Sequence, residues 1–310
     1  MKALWHIDKD SSELRTVKFP QSDKGLKLRS LYSMISTGTE KLVATGGVPS
    51  SMHEQMKVPY MDGSFGLPVK YGYSLVGAAE DGSHYHVMHP HQSYVSVDPK
   101  VAFRLPEGLP PRRAVLISNM ETVINAIWDS HPSTKEKIAI VGFGNVGSLL
   151  AITLSEHYGI KPIIVEKDEW RREKASELGF ETSEQTDYDI VYHTTATESG
   201  LQYCLDNLKM EGRVIELSWY GDRKAQLTLG DRFHYRRLQI ISSQVSVIPK
   251  SMLSEYSYKS RKELAAKYLR SDRYDRLIND TTSFTEAVSF FDSLRQGTSD
   301  NGLIYLISYL

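Results

Sequence analysis

Lys137-Ile138-Ala139-Ile140-Val141-Gly142-Phe143-Gly144-Asn145-Val146-Gly147 is the stretch from which the rest of the chain can be read. Ile138 to Val141 form a short apolar run, as expected of a buried strand. Gly142, Gly144 and Gly147 then make a G-x-G-x-x-G pattern. Val146, Leu149, Leu150 and Leu154 recur at helical spacing, and Gly159 closes the helix. Pro162 to Val165 reads as a second buried strand ending at Glu166.

Each glycine has a physical task. Gly142 permits a tight turn out of the strand, Gly144 lets backbone approach a pyrophosphate, and Gly147 allows close helix–sheet packing. Asn145 and Val146 open the helix, whose free N–H groups and positive dipole end face the phosphates. Glu166 lies 24 residues after Gly142, near the spacing of about 20 expected for the ribose-binding acid. Its carboxylate accepts ribose hydroxyls and repels a 2′-phosphate, so NAD(H) is favoured. Lys167 offsets part of that charge and leaves NADP(H) open. The competing reading is a glycine-rich strand–helix turn without a cofactor.

The 310 residues allow two domains and a sizeable core. A composition of 40% hydrophobic and 24% charged residues suits a globular protein. The net charge of −1 argues against nucleic acid and polybasic membrane attachment as partners. Cys204 is the only cysteine, so neither an intramolecular disulfide nor a multi-cysteine zinc site can form. Met1 to His6 lacks the apolar core of a signal peptide, and no stretch reads as a membrane span. The expectation is a cytoplasmic protein.

Residues 1 to about 115 read as β-rich and irregular, with strands at Leu26–Tyr32, Leu75–Ala79 and Tyr94–Val97. Residues 43–66 form a long stretch of little periodicity, which is usually functional or mobile. Ala114 to Trp128 reads as a helix. Beyond Glu166, strands at 189–193, 214–217 and 238–241 alternate with helical stripes, one carrying Leu201, Cys204, Leu205 and Leu208. That alternation predicts an α/β fold with a doubly wound parallel sheet. The tail adds helices at 264–269 and 284–294 and a last strand at 303–307.

A β-rich segment, a Rossmann unit, then a helix and a returning strand resemble the medium-chain dehydrogenase/reductase superfamily of zinc alcohol dehydrogenases and quinone oxidoreductases. Local matches are Ser36-Thr37-Gly38-Thr39-Glu40, Tyr71 to Gly77, Tyr94 to Val97 before Leu105 to Gly108, and Phe284 to Ala287. The Ser-Thr-Gly-Thr-Glu string is most similar to the subgroup that includes bacteriochlorophyllide dehydrogenases. The resemblance implies a GroES-like catalytic domain over 1–118, a Rossmann domain over 119–255, and a return to the catalytic domain over 256–310. It also implies a small-molecule substrate and NAD(P)(H)-dependent hydride transfer between an alcohol and a carbonyl. A homodimer is left open. Quinone or enone reduction is the nearest alternative, and a non-catalytic nucleotide sensor or scaffold the more distant one.

The family's catalytic zinc slots hold Thr37, Tyr73-Ser74 and roughly Ser118 here. Hydroxyls are poor zinc ligands at neutral pH. The cysteine-rich structural lobe is absent, so a zinc-free member is expected. Thr39 matches the hydroxyl that starts the family's proton relay. The Tyr73 phenol, in a zinc-ligand slot, is positioned to donate to a developing alkoxide; the alternatives are a packing aromatic and a turn hydroxyl. His84, His86, His89 and His91 form a cluster in which His84 with His86, or His89 with His91, could share a metal; it is read instead as a polar hairpin edge, with His89 or His91 kept as substrate contacts or proton shuttles. Strand ends place Thr194, Thr195 and Ala196, then Ser218 and Trp219, then Ser243 at the cofactor. Thr122 matches a family threonine near the nicotinamide.

Overall fold

The computed structural model describes residues 1–18, 25–299 and 301–310. In chain order it holds β1 (Lys2–His6), β2 (Ser12–Thr16), β3 (Leu26–Ile35), α1 (Thr37–Ala44), β4 (Asp62–Gly63), β5 (Val69–Lys70) and β6 (Leu75–Ala78). Next come β7 (His84–Val87), β8 (Tyr94–Val97), β9 (Phe103–Arg104), α2 (Pro111–Ala114) and α3 (Ile117–Ser130). The α/β stretch runs β10 (Ile138–Val141), α4 (Asn145–His157), β11 (Ile163–Val165), α5 (Glu169–Glu177), β12 (Tyr188–His193) and α6 (Glu198–Asp206). It continues through β13 (Leu208–Glu216), β14 (Gln239–Ser242) and α7 (Tyr258–Tyr268). The chain ends with β15 (Ile278–Ser283), α8 (Ala287–Gln296) and β16 (Ile304–Ser308).

Two compact units result: Met1–Ser118 with Leu269–Leu310, and Asn119–Tyr268. The first unit carries two sheets. One has the order β2-β1-β5-β4, and the other runs β15-β16-β3-β6-β7-β9 with β8 also paired to β3. Antiparallel pairs dominate, and β15 with β16 is the parallel exception. Leu28, Leu75, Val87, Val95 and Val97 fill one core cluster, and α8 builds another through Ala287, Phe291 and Leu294 on Leu4, Ile35 and Ile307. Each fully buried side chain of this kind is worth roughly 1.5–3 kcal/mol.

The second unit is a parallel sheet in the order β11-β10-β12-β13-β14. A single parallel bridge from Ile164 to Thr182 extends it beyond β11. The strand order reverses between β10 and β12, so the crevice at their carboxyl ends is the ligand position of this architecture. Tyr188, Val191 and Val214 pack against Leu201, Cys204 and Leu205 of α6. The α/β class, the β-rich domain and the parallel Rossmann-like sheet are therefore as expected.

Several local elements differ from the sequence reading. The helix expected over 114–128 is split, because the Ser74 hydroxyl takes the Val115 carbonyl between α2 and α3. The helix expected from Phe284 starts at Ala287. Ser283 to Glu286 forms a reciprocal side-chain cap there, and Ser283 closes β15. Residues 43–66 carry the end of α1, a short 3₁₀ turn and β4.

Candidate functional site

In the second unit the glycine loop joins β10 to α4. Gly142 has φ +100°, and a Cβ there would lie 2.7 Å from Thr194 Oγ1 and from Thr195 Cγ2. A Cβ on Gly147 would lie 2.1 Å from the Gly142 carbonyl oxygen, so only glycine lets α4 approach the turn. Gly144 differs: the nearest atom to a Cβ there is Arg171 Nη1, at 3.7 Å. The space over Gly144 is open and faces the first turn of α4, as a pyrophosphate cradle requires. Thr194 donates to the carbonyls of Val141 and Gly142, which ties β12's end to the loop. These residues fit a dinucleotide.

Glu166 is already engaged. Its Oε2 accepts Phe143 N–H at 2.7 Å, and Oε1 accepts the N–H groups of Lys167 at 2.7 Å and Asp168 at 3.0 Å. A carboxylate has about four acceptor positions, so these three bonds fix its orientation and leave about one position for a ribose hydroxyl. The Lys167 side chain is exposed, and Arg172 donates to the Glu166 and Lys167 carbonyls. Asn145 Oδ1 accepts from Asn119 at 2.9 Å, and Val146 lies in the first turn of α4. Thr122 is a half-buried residue of α3.

The loops after β12 and β13 are locked by a pair the sequence reading missed. His193 is fully buried; Nδ1 meets Glu216 Oε2 and Nε2 meets Thr195 Oγ1, each at 2.7 Å. Glu216 Oε1 accepts Ser218 N–H, and Ser218 Oγ accepts Ala196 N–H at 3.0 Å. Trp219 follows half-buried. Ser243 Oγ donates to Asp129 at 2.6 Å, whose carboxyl burial pushes above its usual range. His193 is hard to find in sequence, because it sits at the end of an otherwise apolar strand.

In the first unit, the hydroxyls of Ser36 and Thr39 bond to the Tyr73 phenol. Burial holds that phenol well above its ordinary pKa, Ser36 pulls it down, the Glu40 charge raises it, and Thr39 lowers it. Glu40 is buried at the start of α1, where Oε1 accepts Ser36 N–H at 2.9 Å and Oε2 meets His91 Nε2 at 2.7 Å. His91 Nδ1 meets Ser33 Oγ at 2.7 Å, and Ser33 meets the Tyr309 hydroxyl at 2.9 Å. Both His91 nitrogens are thus committed inside the core.

Of the inferred zinc slots, Tyr73 belongs to this network, and Ser74 and Ser118 gather at His86 instead. Ser74 Oγ and Ser118 Oγ lie 3.0 and 3.3 Å from His86 Nε2, and Ser118 donates to the Tyr73 carbonyl. Thr37 opens α1. Among the described residues, no group of three or more His, Cys, Asp or Glu side chains could hold a metal. His84 lies half-buried on the hairpin of β6 and β7. His89 is buried and stacks on Tyr60 at 5.1 Å, and its Nδ1 donates to the Pro90 carbonyl at 2.8 Å. Burial, opposed by that bond and aided by Lys70 and His91, lowers its pKa to about 4.

No family model matches the chain. A stretch of 140 residues is 27% identical to (R,R)-butanediol dehydrogenase of Bacillus subtilis (strain 168), a match covering 40% of the length of that relative. Among solved structures, a zinc-binding dehydrogenase from Clostridium scindens shares 15% identity, covers 99% of both chains and gives a TM-score of 0.77. A zinc-binding dehydrogenase from Sinorhizobium meliloti, bound to NADP, shares 17% identity over 99% of this chain and 98% of its own, with a TM-score of 0.75. An alcohol dehydrogenase from E. coli CFT073, complexed with NADH, shares 14% over 99% of both chains, with a TM-score of 0.73. The chain has the medium-chain alcohol dehydrogenase-like fold.

Proposed function

We propose that this protein is an NAD(P)(H)-dependent oxidoreductase that interconverts an alcohol and a carbonyl by hydride transfer without zinc. The observation that carries this reading is the glycine loop at the strand-order reversal, with open space over Gly144 and none over Gly142 or Gly147. The fold shared with dehydrogenases bound to NADH and to NADP supports it. So does the partial match to a butanediol dehydrogenase.

A bound nicotinamide supplies the hydride chemistry. Gly142, Gly144, Asn145, Val146 and Gly147 cradle its diphosphate in this reading. Glu166 sets the adenosine end and favours NAD(H), with Lys167 tempering the preference. Thr194, Thr195, Ala196, Ser218, Trp219 and Ser243 bracket the other end, together with Thr122. The His193–Glu216 pair holds two of those loops in register.

Tyr73 is assigned the substrate oxygen. Its raised pKa keeps the phenol protonated, and the Ser36 and Thr39 hydroxyls polarise its oxygen. A protonated phenol donates to an oxygen that gains negative charge in the transition state. Zinc does not fit the donor set: Thr37, Tyr73, Ser74 and Ser118 offer hydroxyls where zinc needs thiolate, imidazole or carboxylate. The Ser36 to Glu40 string supports the bacteriochlorophyllide dehydrogenase-like subgroup. Residues 1–118 and the returning tail form the catalytic domain in this assignment.

The test is a panel of alcohols, aldehydes, ketones, quinones and enones, read by nicotinamide absorbance with and without a strong chelator. The account predicts turnover of an alcohol–carbonyl pair that survives chelation, in protein carrying no stoichiometric zinc. Activity confined to quinones or enones would replace the substrate class. Activity lost together with about one zinc per chain would overturn the zinc-free assignment.

A further inference from the structure

The first unit contains a groove of about 390 Å³ lined in part by Lys18, Tyr60, Asp62, Lys70, His89 and Gln92. That volume lies within the range of small-molecule sites. Two of its polar groups are left incomplete. Lys70 is half-buried, and its ammonium donates only to Gln92 Oε1, at 3.3 Å. The Gln92 amide is itself fixed, because its Nε2 donates to the Tyr94 carbonyl at 2.7 Å. No carboxylate of the described residues forms an ion pair with Lys70; Asp62 acts on it only at longer range. An ammonium has three N–H donors, and among the described residues only Gln92 takes one as a hydrogen-bond acceptor.

His89 supplies the opposite sense. Its Nδ1 faces the Pro90 carbonyl, which can only accept, so Nδ1 carries the proton. The ring is neutral near pH 7, which leaves Nε2 a bare acceptor. Nε2 has no hydrogen-bond partner among the described residues. The residue is 4% exposed, and Nε2 keeps contact with solvent at the groove. Tyr60 covers the imidazole face at an interplanar angle of 25° and holds φ +61°, a conformation uncommon for a bulky residue outside functional loops. The groove therefore presents a half-buried cation and the open acceptor of a buried imidazole beside an aromatic wall.

We propose that this groove is a binding subsite for a small anion that also carries a hydroxyl group. The carboxylate or phosphate pairs with Lys70, and the hydroxyl donates to His89 Nε2. An anion completes the ammonium's bonding with charge-assisted hydrogen bonds, which are about twice as strong as neutral ones. The hydroxyl requirement follows from Nε2, which can accept and cannot donate. Binding uses groups of the first unit alone, so it is independent of the dinucleotide reading and survives the loss of NADH binding.

The experiment uses the full-length protein and three probes: glycolate, acetate and inorganic phosphate. Affinity is measured by calorimetry, and the His89 ring nitrogens are followed by ¹⁵N–¹H correlation. Glycolate or phosphate should bind saturably. Glycolate should shift His89 Nε2, and acetate, which lacks the hydroxyl, should bind several-fold more weakly than glycolate. Lys70→Met should weaken binding by about tenfold or more, with an unchanged circular dichroism spectrum. The spectral shift in unmodified protein needs no variant, so the inference stays testable if Lys70→Met does not fold. Glycolate bound without a His89 shift and phosphate without saturation would overturn it. So would equal affinity for glycolate and acetate, or folded Lys70→Met with undiminished binding.

Discussion

At the scale of single residues, the three glycines of the loop separate fold from function. A Cβ at Gly144 meets no protein atom closer than the flexible end of Arg171, and φ −84° there is ordinary backbone. Gly144→Val should therefore fold, and calorimetry should show NADH binding abolished. Gly147→Ala should instead lower the melting temperature, since its methyl collides with the Gly142 carbonyl. In the proposed reading Glu166 governs cofactor choice, and Glu166→Ala should narrow the ratio of NADPH to NADH dissociation constants. Tighter NADPH binding by the unmodified protein would point to Lys167 or the arginines of α5. Tyr73→Phe removes a donor that acts on the transition state, so kcat should fall more than cofactor affinity. Full activity in Tyr73→Phe would move the donor role to Thr39. The chemistry of Gly142 to Gly147 was legible in the sequence because it depends on local backbone. The partners of Glu40 and His193 were not. Glu40 meets His91 across 51 positions and His193 meets Glu216 across 23, and no local period encodes such pairs.

Among the elements, the parallel strands of the second unit were easy to read, as were β3, β6 and β8, whereas β1, β2 and β15 were not. Residues of β10 and β12 are buried on both faces, so they appear as continuous apolar runs. β1, β2 and β15 are short and carry polar residues, which leaves little periodic signal. The same elements give stability predictions. His6 on β1 is buried, accepts from Ser12 and Arg295 at Nδ1, and has its pKa lowered to about 3 by burial, then by Arg295 and His91. A folded pKa below the unfolded value of 6.5 gives stability that is present above pH 6.5 and lost as pH falls toward 3. The loss should reach roughly 3 kcal/mol by pH 4.5. Denaturant titrations across that window should show a shallower acid slope in His6→Asn, and an unchanged slope would contradict the assignment. α2 supplies a second case. Arg113 is 5% exposed, forms a two-pronged bond with Asp275, and donates to the carbonyls of Leu269 and Arg270. Arg113→Met should cost roughly 3 kcal/mol, because it strands a carboxylate and two carbonyls. A melt with a shift under a degree would show that the returning tail is held by its apolar contacts alone.

For the molecule as a whole, the order of elements carried more information than any one of them. A β-rich stretch, a glycine-loop strand–helix unit and a returning helix and strand define the architecture that solved dehydrogenases share at 11–17% identity. At such divergence the fold persists because burial pattern and turn chemistry persist, while substrate and metal contacts are free to change. We place one such change at the hydroxyls of Thr37, Tyr73, Ser74 and Ser118, and another at the groove of Lys70 and His89. The central claim is that this chain is built around a dinucleotide site centred on Gly144. Its most direct test is a calorimetric titration of the full-length protein with NADH after dialysis against a chelator. The account predicts saturable binding of about one NADH per chain, lost in folded Gly144→Val. A flat titration of correctly folded protein, or equal NADH affinity in Gly144→Val, would contradict it.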